Sequence, residues 1–322
     1  MNLRLTLLLL AVIHSAILLA AWVAPYPYAE QHRDYPYAPP TRIHWAGWEP
    51  MVAGISTDPG SGEYREDAGL RYPLELFTHG RLFGVRAPGV LFLWGTDGLG
   101  RDVFSRVLYG GQVSLLAGLT ATLISLALGL CWGTLAGFYG GWVDAWLMRT
   151  GELFLALPWL YLLLGVRAFL PLQVSPWQSF VLLAGIIGLV GWVRPARMVR
   201  GVVLSARERP FVLAARGFGA SGFYLIRRHI LPLTGSVIVT QATVLIPQFI
   251  LAEVTLSFLG LGVGEPVPSW GNMLAEARQY HTLVSHAWML APGLASVPLL
   301  FGYLRLADIL LQRPPRSRAS EL

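Results

Sequence analysis

Apolar residues are grouped along this chain into long blocks, separated by shorter stretches that contain most of its charges. A helix that crosses a bilayer needs roughly 20 mainly apolar residues. Irregular backbone leaves polar groups unsatisfied in lipid, so such blocks are expected to be helical. Six blocks have about this length, and we predict a membrane-spanning helix in each: residues 5–24, 113–132, 148–169, 179–198, 236–263 and 287–311. Arg194 and Arg197 interrupt the fourth block, where both side chains can snorkel to the membrane surface.

Composition supports a membrane protein and excludes several chemistries. Of the 322 residues, 54% are hydrophobic and 13% are charged, and the mean hydropathy is +0.54. All 24 basic residues are arginine. Without lysine the chain has no phosphate-binding loop of the GxxxxGK[ST] type and no lysine Schiff base. If this protein uses ATP, another chain must bind it.

Catalytic and metal-binding patterns are not found in the sequence. The single cysteine, Cys131, lies inside an apolar block, which excludes a disulfide framework. No HExxH or GxSxG stretch occurs, and the seven histidines show no metal-ligand spacing. We therefore predict no catalytic residues, metal or cofactor.

Arginine positions predict the orientation in the membrane. Residues 194–228 contain eight arginines and one acid, Glu208. Positive residues in short loops mark the cytoplasmic side. With six spans, both termini, the basic loop at Gly217 and the tail 312–322 are predicted in the cytoplasm. The segment 25–106, including Gly60, is then external.

The external segment and the N-terminus each leave alternatives open. Residues 25–106 are rich in Tyr, Pro, Trp and Gly, which predicts an ordered but irregular subdomain. Disorder is the alternative for the central stretch STDPGSGEYRED. Residues 1–24 are interpreted as a retained membrane anchor, because their apolar run exceeds the usual core of a signal peptide; a cleaved signal peptide is the alternative.

A short basic element, FVLAARGFGASGFYLIRRHILP, lies between the fourth and fifth blocks. Pro210 suits the first turn of a helix, and Gly219 is placed to end that helix at positive φ. Ser221 is a candidate cap for a second short helix, which Pro232 is predicted to close before the fifth span. The spacing alone fits an ordinary cytoplasmic linker as well as a docking element with small surface residues.

Three stretches resemble the permeases of ABC importers. The basic element is similar to their cytoplasmic signature loop through Ala214, Ala215, Gly219, Ile226, His229, Leu231 and Pro232, while Leu213 stands where that pattern has glutamate. GTDGLGRDVFSRVLYGGQVSL and LAEVTLSFLGLGVGEPVPSWGNMLAEAR resemble stretches of the dipeptide, oligopeptide and nickel permease family. The similarity covers roughly residues 95–300, and residues 26–94 are longer than is usual in that family.

The resemblance implies an architecture and partners. It implies an all-α integral membrane protein of about six spans, with the type I importer architecture, an N-terminal anchor 1–24 and a core permease domain 107–311. The expected partners are a second permease subunit, two ATPase subunits, an external solute-binding protein and membrane lipid, with no nucleic acid. The expected location is the bacterial inner membrane.

Site residues follow from the same resemblance. The first helix of the loop 199–234 is expected to dock on an ATPase, with coupling residues Phe211, Leu213, Ala214, Ala215, Gly219, His229 and Pro232. His229 is itself interpreted as a loop-packing residue. A second ATPase contact is expected from residues 138–149. The substrate stays open among peptides, nickel chelates, opines and sugars.

Several residues within or between the apolar blocks are interpreted individually. Glu253 lies inside the fifth block, where a charged acid is costly. It is either a proton-coupling or substrate carboxylate in the path, or a structural acid hydrogen-bonded across helices, with Ser257 one turn away on the same face. Pro158 is predicted to kink the third span. Arg167 and Glu152 are interpreted as snorkelling residues, and Trp270 as an interfacial anchor or a contact for the binding protein.

Two other classes of protein are weighed against the ATP-driven permease. A secondary transporter would use Glu253 as its proton site and would take up solute without ATP. An intramembrane enzyme would need a nucleophile or metal cluster that the sequence does not contain.

Overall fold

The computed structural model describes residues 2–58, 63–78, 80–169 and 174–312. The predicted external position Gly60 and the tail from residue 313 onward lie outside these described residues. The helices are α1 (Leu3–Leu18), α2 (Ala20–Val23), α3 (Val103–Tyr139), α4 (Gly141–Ala156), α5 (Trp159–Ala168), α6 (Pro176–Gly191), α7 (Val193–Arg207), α8 (Pro210–Gly217), α9 (Gly222–Leu225), α10 (Leu231–Phe258), α11 (Trp270–Glu276), α12 (Tyr280–Ser285) and α13 (Ala291–Leu311). The strands are β1 (Ile43–Ala46), β2 (Glu49–Thr57), β3 (Tyr64–Leu76) and β4 (Phe83–Val85).

Three helical stretches in the described part of the chain are long and apolar enough to cross a membrane, namely Val103–Tyr139, Gly222–Phe258 and Ala287–Leu311. Two bent pairs, α4 with α5 and α6 with α7, raise the number to five if each pair is one span. The first predicted span is represented by the 16-residue α1, shorter than a bilayer requires, with α2 after it. The structure therefore supports three to five of the six predicted spans.

The third predicted span is sharply bent. α4 ends at Ala156 and α5 begins at Trp159, with an angle of 91° between the two helices. Pro158 is the residue before α5, and its backbone is not helical. A proline ring is not tolerated in the interior of a continuous helix, which explains why the helix breaks here. The predicted kink at Pro158 is confirmed.

The segment before α3 contains a β-sheet, so the predictions of an all-α chain and of an irregular subdomain are wrong there. The four strands pair in the order β1-β2-β3-β4, all antiparallel. Gly47, at φ 67°, lies in the tight turn between β1 and β2. Val52 and Ala53 are buried on β2, whereas β3 is largely polar and partly exposed. The weak apolar alternation of β3 explains why its sequence did not predict a strand.

α3 is the central helix of the core, and glycines bring α7 close to it. Gly129, Gly133 and Gly137 recur every four residues on one face of α3. A side-chain carbon at Gly133 would overlap the carbonyl oxygen of Ala196, and one at Gly137 would overlap Val203. This spacing of small residues allows two helix backbones to approach each other in a membrane. α7 is thereby held against α3, and α8 follows directly after α7.

Candidate functional site

The basic element forms the two short helices that its sequence predicts. α8 begins at Pro210, after extended backbone at Arg209. Gly219 has φ 85°, as predicted for the residue that ends the helix. The N–H of Gly219 donates to the carbonyl of Arg216, and that of Ala220 donates to Ala215. These two bonds form a Schellman motif, in which a residue at positive φ ends the helix.

The second helix begins as predicted but does not end at Pro232. The Ser221 side chain accepts a hydrogen bond from the N–H of Tyr224, which caps α9. A π-turn, Ile226–Ile230, then joins α9 to α10, and Pro232 lies in the first turn of α10. The N–H of Leu231 donates to Ile226 five residues back, which widens the helix just before the proline. The prediction that Pro232 closes the helix is wrong, because the wider turn accommodates its ring.

α8 presents an apolar surface with little cover from the rest of the chain. Val212 is buried, whereas Phe211 and Leu213 are 44% and 46% exposed and Phe218 is 92% exposed. Ala214 is exposed and Ala215 is half-buried. We call Phe211, Leu213, Ala214 and Phe218 the α8 surface. Its small and aromatic side chains form a compact patch against which another protein could pack.

His229 packs behind the α8 surface. Its ring lies 5.9 Å from the ring of Phe211 and 5.6 Å from that of Tyr224, measured between centroids. The interpretation of His229 as a packing residue is confirmed. Glu253 lies elsewhere: 21 residues beyond Pro232 along α10, it is about 30 Å away by the helical rise.

Arginines of α7 and α8 contact the end of α3 and the start of α4. Arg200 forms a bidentate ion pair with Asp144, with both N–O distances 2.5 Å. Arg207 donates to the carbonyl of Gly137 at 3.0 Å, and the Arg216 guanidinium lies 5.7 Å from the ring centre of Phe138. The predicted second contact segment, residues 138–149, is thus held beside the first. The sequence indicated the cationic loop but not these partners.

An ion-pair cluster lies at the opposite end of α3. It consists of Asp97, Arg101, Arg106, Glu265 and Glu276. Arg101 donates to Asp97 and Glu265, each at 2.6 Å, and to Glu276 at 3.1 Å. Arg106 donates to Glu265 at 3.0 Å. Both guanidinium groups are buried, so the cluster joins the segment before α3 to the segment after α10.

Two pKa values in and beside this cluster are strongly shifted. Burial, followed by the charge of Asp97, raises the pKa of Glu276 to about 7, against the opposing effect of the two arginines. Burial also raises the pKa of Asp102 to about 7, although Ser105 donates to its carboxylate from both N–H and hydroxyl. Asp102 caps the first turn of α3. The cluster was not predicted from the sequence, because its carboxylates come from distant parts of the chain.

Glu253 is fully buried between three elements. The Ser257 hydroxyl donates to its carboxylate at 2.6 Å, so the predicted bond to Ser257 is present. The hydroxyls of Ser114 in α3 and Ser269 before α11 lie beside the same carboxyl group. The bond from Ser257 supports the structural interpretation of Glu253, although its other carboxylate oxygen, Oε2, has no hydrogen-bond partner among the described residues.

Two interpretations of single residues are wrong. Trp270 is 1% exposed, and its Nε1 donates to the carbonyl of Val107 at 2.9 Å, so it is a core residue. Arg167 is also buried and donates to the carbonyl of Leu261 at 2.8 Å, which excludes snorkelling. In both cases the partner comes from a distant segment. Glu152, by contrast, is exposed and lies 3.4 Å from Arg197.

No cluster of metal ligands occurs among the described residues. Groups of three or more His, Cys, Asp or Glu side chains with suitable geometry are not found there.

Comparison with known proteins identifies similar chains. A family model described as "Binding-protein-dependent transport system inner membrane component" matches residues 129–314. A Brucella suis biovar 1 protein that carries the name of a peptide permease is 41% identical over 212 residues, which are 66% of this chain and 68% of that protein. The dipeptide transport system permease protein DppC of Alkalihalophilus pseudofirmus is 35% identical over 225 residues, covering 70% of this chain and 71% of the relative. An inward-facing structure of the MetNI methionine ABC transporter, at 17% identity and a TM-score of 0.46, covers 64% of this chain and 97% of that chain.

Proposed function

The chain belongs to the family of binding-protein-dependent transport system inner membrane components, and we propose that it forms the translocation path for peptides or a related small solute in an ATP-driven importer. Relatives named as peptide and dipeptide permeases support this substrate class. In this proposal the chain works with a second permease subunit, two ATPase subunits and an external binding protein.

The observation that carries the coupling role is the α8 surface. Phe211, Leu213 and Phe218 are exposed on a helix that is fixed at both ends, by Pro210 and by the Schellman motif at Gly219. A helix with fixed ends can transmit movement as a rigid body, whereas a flexible loop would absorb it. We propose that this surface docks on an ATPase subunit. The chain has no lysine, so ATP hydrolysis is assigned to that partner.

The contact between α3 and α7 supports the same role. The glycine face of α3 packs directly on α7, which continues into α8. The ion pair of Arg200 with Asp144 fastens this region to the start of α4. A displacement of α8 by a partner would therefore be passed to the helices that are proposed to line the path.

The proposed orientation follows the arginine-rich loop. Both termini and Gly217 are assigned to the cytoplasm, and Gly60 to the external side. Reporter fusions at these four positions test the assignment. An external signal at Gly217 would contradict both the orientation and the docking role.

Cysteine cross-linking tests the docking directly. Cys131, the only native cysteine, is replaced by alanine, and Leu213→Cys is introduced in the assembled complex. We expect a cross-link from position 213 to an ATPase subunit. The matched control is Trp48→Cys, at a residue that is 96% exposed in the turn between β1 and β2 and far from α8. Equal cross-linking from both positions, or none from position 213, would contradict the proposal.

A nucleotide-binding measurement tests the assignment of ATP hydrolysis to a separate subunit. The purified chain, free of ATPase subunits, is expected not to bind or hydrolyse ATP. Saturable binding of ATP by the isolated chain would contradict this assignment.

A further inference from the structure

The subdomain before α3 is attached firmly to the helical core at the end opposite α8. The N–H of Tyr37 donates to the carbonyl of Asp97 at 2.9 Å, and the N–H of Thr96 donates to Ala38 at 2.9 Å. α3 begins seven residues after Thr96, and its 37 residues span about 55 Å. Phe138, at its far end, contacts Arg216 of α8. Surfaces near Tyr37 therefore lie about one α3 length from the α8 surface.

An open cleft of about 790 Å³ lies between this subdomain and the segment before α13. Its walls include Arg33, Asp34 and Tyr37 from the segment before β1, Tyr64 from β3, and His286 and Trp288 from the turn before α13. We call this the Tyr37 cleft. It combines side chains from three separate parts of the chain, two of them in the region 25–106 that precedes the family match at residues 129–314.

The aromatic side chains of the Tyr37 cleft are held in place by contacts within the chain itself. The rings of Tyr37 and His286 are stacked, with 4.4 Å between centroids. Trp288 Nε1 donates to the carbonyl of Thr96 at 3.0 Å, and the Tyr64 hydroxyl donates to Pro36 at 2.8 Å. Tyr37 has φ 55°, a left-handed conformation that costs a side chain about 1 kcal/mol. Such strain is concentrated at functional positions, where it pre-organises a surface.

The charges of the cleft suit a protein partner. Three charged residues line the cleft, namely Arg33, Asp34 and Glu63. Arg33 and Asp34 are exposed and adjacent, and neither forms an ion pair with the described residues. A cation and an anion side by side do not suit a hydrocarbon surface or a polyanion. Aromatic rings together with arginine are the residue types that are enriched at the centres of protein interfaces.

From this combination we infer that the Tyr37 cleft is a docking site for a loop of the extracytoplasmic binding protein, which Arg33 and Asp34 engage through a complementary pair of charges. The inference rests on the proposed function, since the family description makes transport dependent on such a protein. It adds a surface formed by residues 33–37 and Tyr64 to the region of the chain that the family model matches. The site lies at the end of α3 opposite the ATPase-docking surface.

The test uses the complete transporter in lipid nanodiscs with the purified binding protein of the same system. The variant Arg33→Glu/Asp34→Arg reverses both charges at exposed positions. We expect its affinity for the binding protein to fall about 10-fold, and the hydrolysis of ATP without binding protein to stay unchanged. The matched control is Arg71→Glu, which reverses an exposed charge on β3 outside the cleft and is expected to change the affinity less than 2-fold.

The outcomes separate this inference from the proposed function. If the unmodified complex shows no ATP hydrolysis stimulated by binding protein, the proposed function fails. If stimulation is normal and the charge-reversal variant binds as tightly as the unmodified chain, the cleft inference is overturned. Saturable binding of free peptide that is lost in the charge-reversal variant, without any effect on the binding protein, would also overturn it in favour of a substrate site.

Discussion

Arg101 and Glu265 are 164 positions apart in the chain, and their side chains meet with 2.6 Å between Nη1 and Oε2. This contact joins the segment before α3 to the segment after α10. The sequence stretches that resemble the permease family around residues 95–115 and 251–278 are therefore in direct contact. These ion pairs hold the start of α3 close to the end of α10, on the side of the molecule opposite α8.

Removing Arg101 is expected to destabilise the protein. Its side chain is 5% exposed and contacts three carboxylates, those of Asp97, Glu265 and Glu276. Arg101→Leu would leave these acids without their main partner, and breaking a buried ion pair costs about 3–5 kcal/mol. Thermal unfolding of the purified protein measures the loss as a lower midpoint.

The control for this variant is an exposed ion pair in the same subdomain. Arg86 is 76% exposed and pairs with Glu75, so Arg86→Leu is expected to cost less than about 1 kcal/mol. Equal midpoints for the two variants would show that the ion-pair cluster does not hold the segments together.

Asp102 predicts a dependence of stability on pH. Burial raises its pKa from the ordinary 3.8 to about 7, so the folded protein binds a proton that the unfolded chain releases. The protonated Asp102 side chain therefore contributes to stability fully below pH 3.8. As the pH rises to about 7 this contribution is lost, which lowers the free energy of unfolding by about 4 kcal/mol. Asp102→Asn retains an oxygen to cap α3, and it is expected to lose less stability than the wild type between pH 5 and pH 8.

Glu276 contributes to the pH dependence of stability over the same range, because its pKa is also raised to about 7. The double variant Asp102→Asn/Glu276→Gln should therefore show the weakest pH dependence of all. Unfolding midpoints measured across the range check this order. If the stability of the Asp102→Asn variant fell with pH as steeply as that of the wild type, the Asp102 carboxyl group would not be protonated in the folded wild-type protein.

Substitutions of Glu253 distinguish an ATP-driven permease from the alternative, a secondary transporter. Glu253→Gln keeps an oxygen that accepts the Ser257 hydroxyl, so we expect near-normal stability and ATP-dependent uptake. Glu253→Ala removes that acceptor and leaves a buried cavity, at a cost of about 2–4 kcal/mol. Loss of uptake by a stably folded Gln variant would instead favour a proton-carrying role.

Local signals explain what the sequence predicted correctly. Pro210, Gly219 and Ser221 act on backbone within a few residues, so the start and end of α8 and the cap of α9 could be placed from sequence. Pro158 predicted the bend in the third apolar block for the same reason. The long apolar blocks of α3, α10 and α13 were equally clear.

Features that depend on distant partners were missed. Trp270 was interpreted as interfacial because the sequence does not show that Val107 accepts its indole N–H. The ion-pair cluster and the burial of Arg167 have the same cause. The strands before α3 were missed because β3 alternates charged and apolar residues only weakly. Pro232 was misjudged because a π-turn accommodates a proline that an ordinary turn would exclude.

The most direct measurement of the proposed coupling role compares two valine variants in the assembled transporter. At Gly219 the added side chain meets no neighbour within 4 Å, but φ is 85°, so Gly219→Val carries a backbone strain of about 1–2 kcal/mol. Gly217→Val is the control, two residues earlier, where there is also open space and φ lies outside the left-handed range. Neither change touches a membrane-spanning helix.

Substrate-stimulated ATP hydrolysis and uptake are then measured, with the amount of each variant in the membrane determined in parallel. If α8 must be held rigidly against an ATPase, Gly219→Val lowers both activities about 10-fold at normal membrane abundance, while Gly217→Val stays close to the wild type. Normal uptake by Gly219→Val would contradict the coupling role of α8.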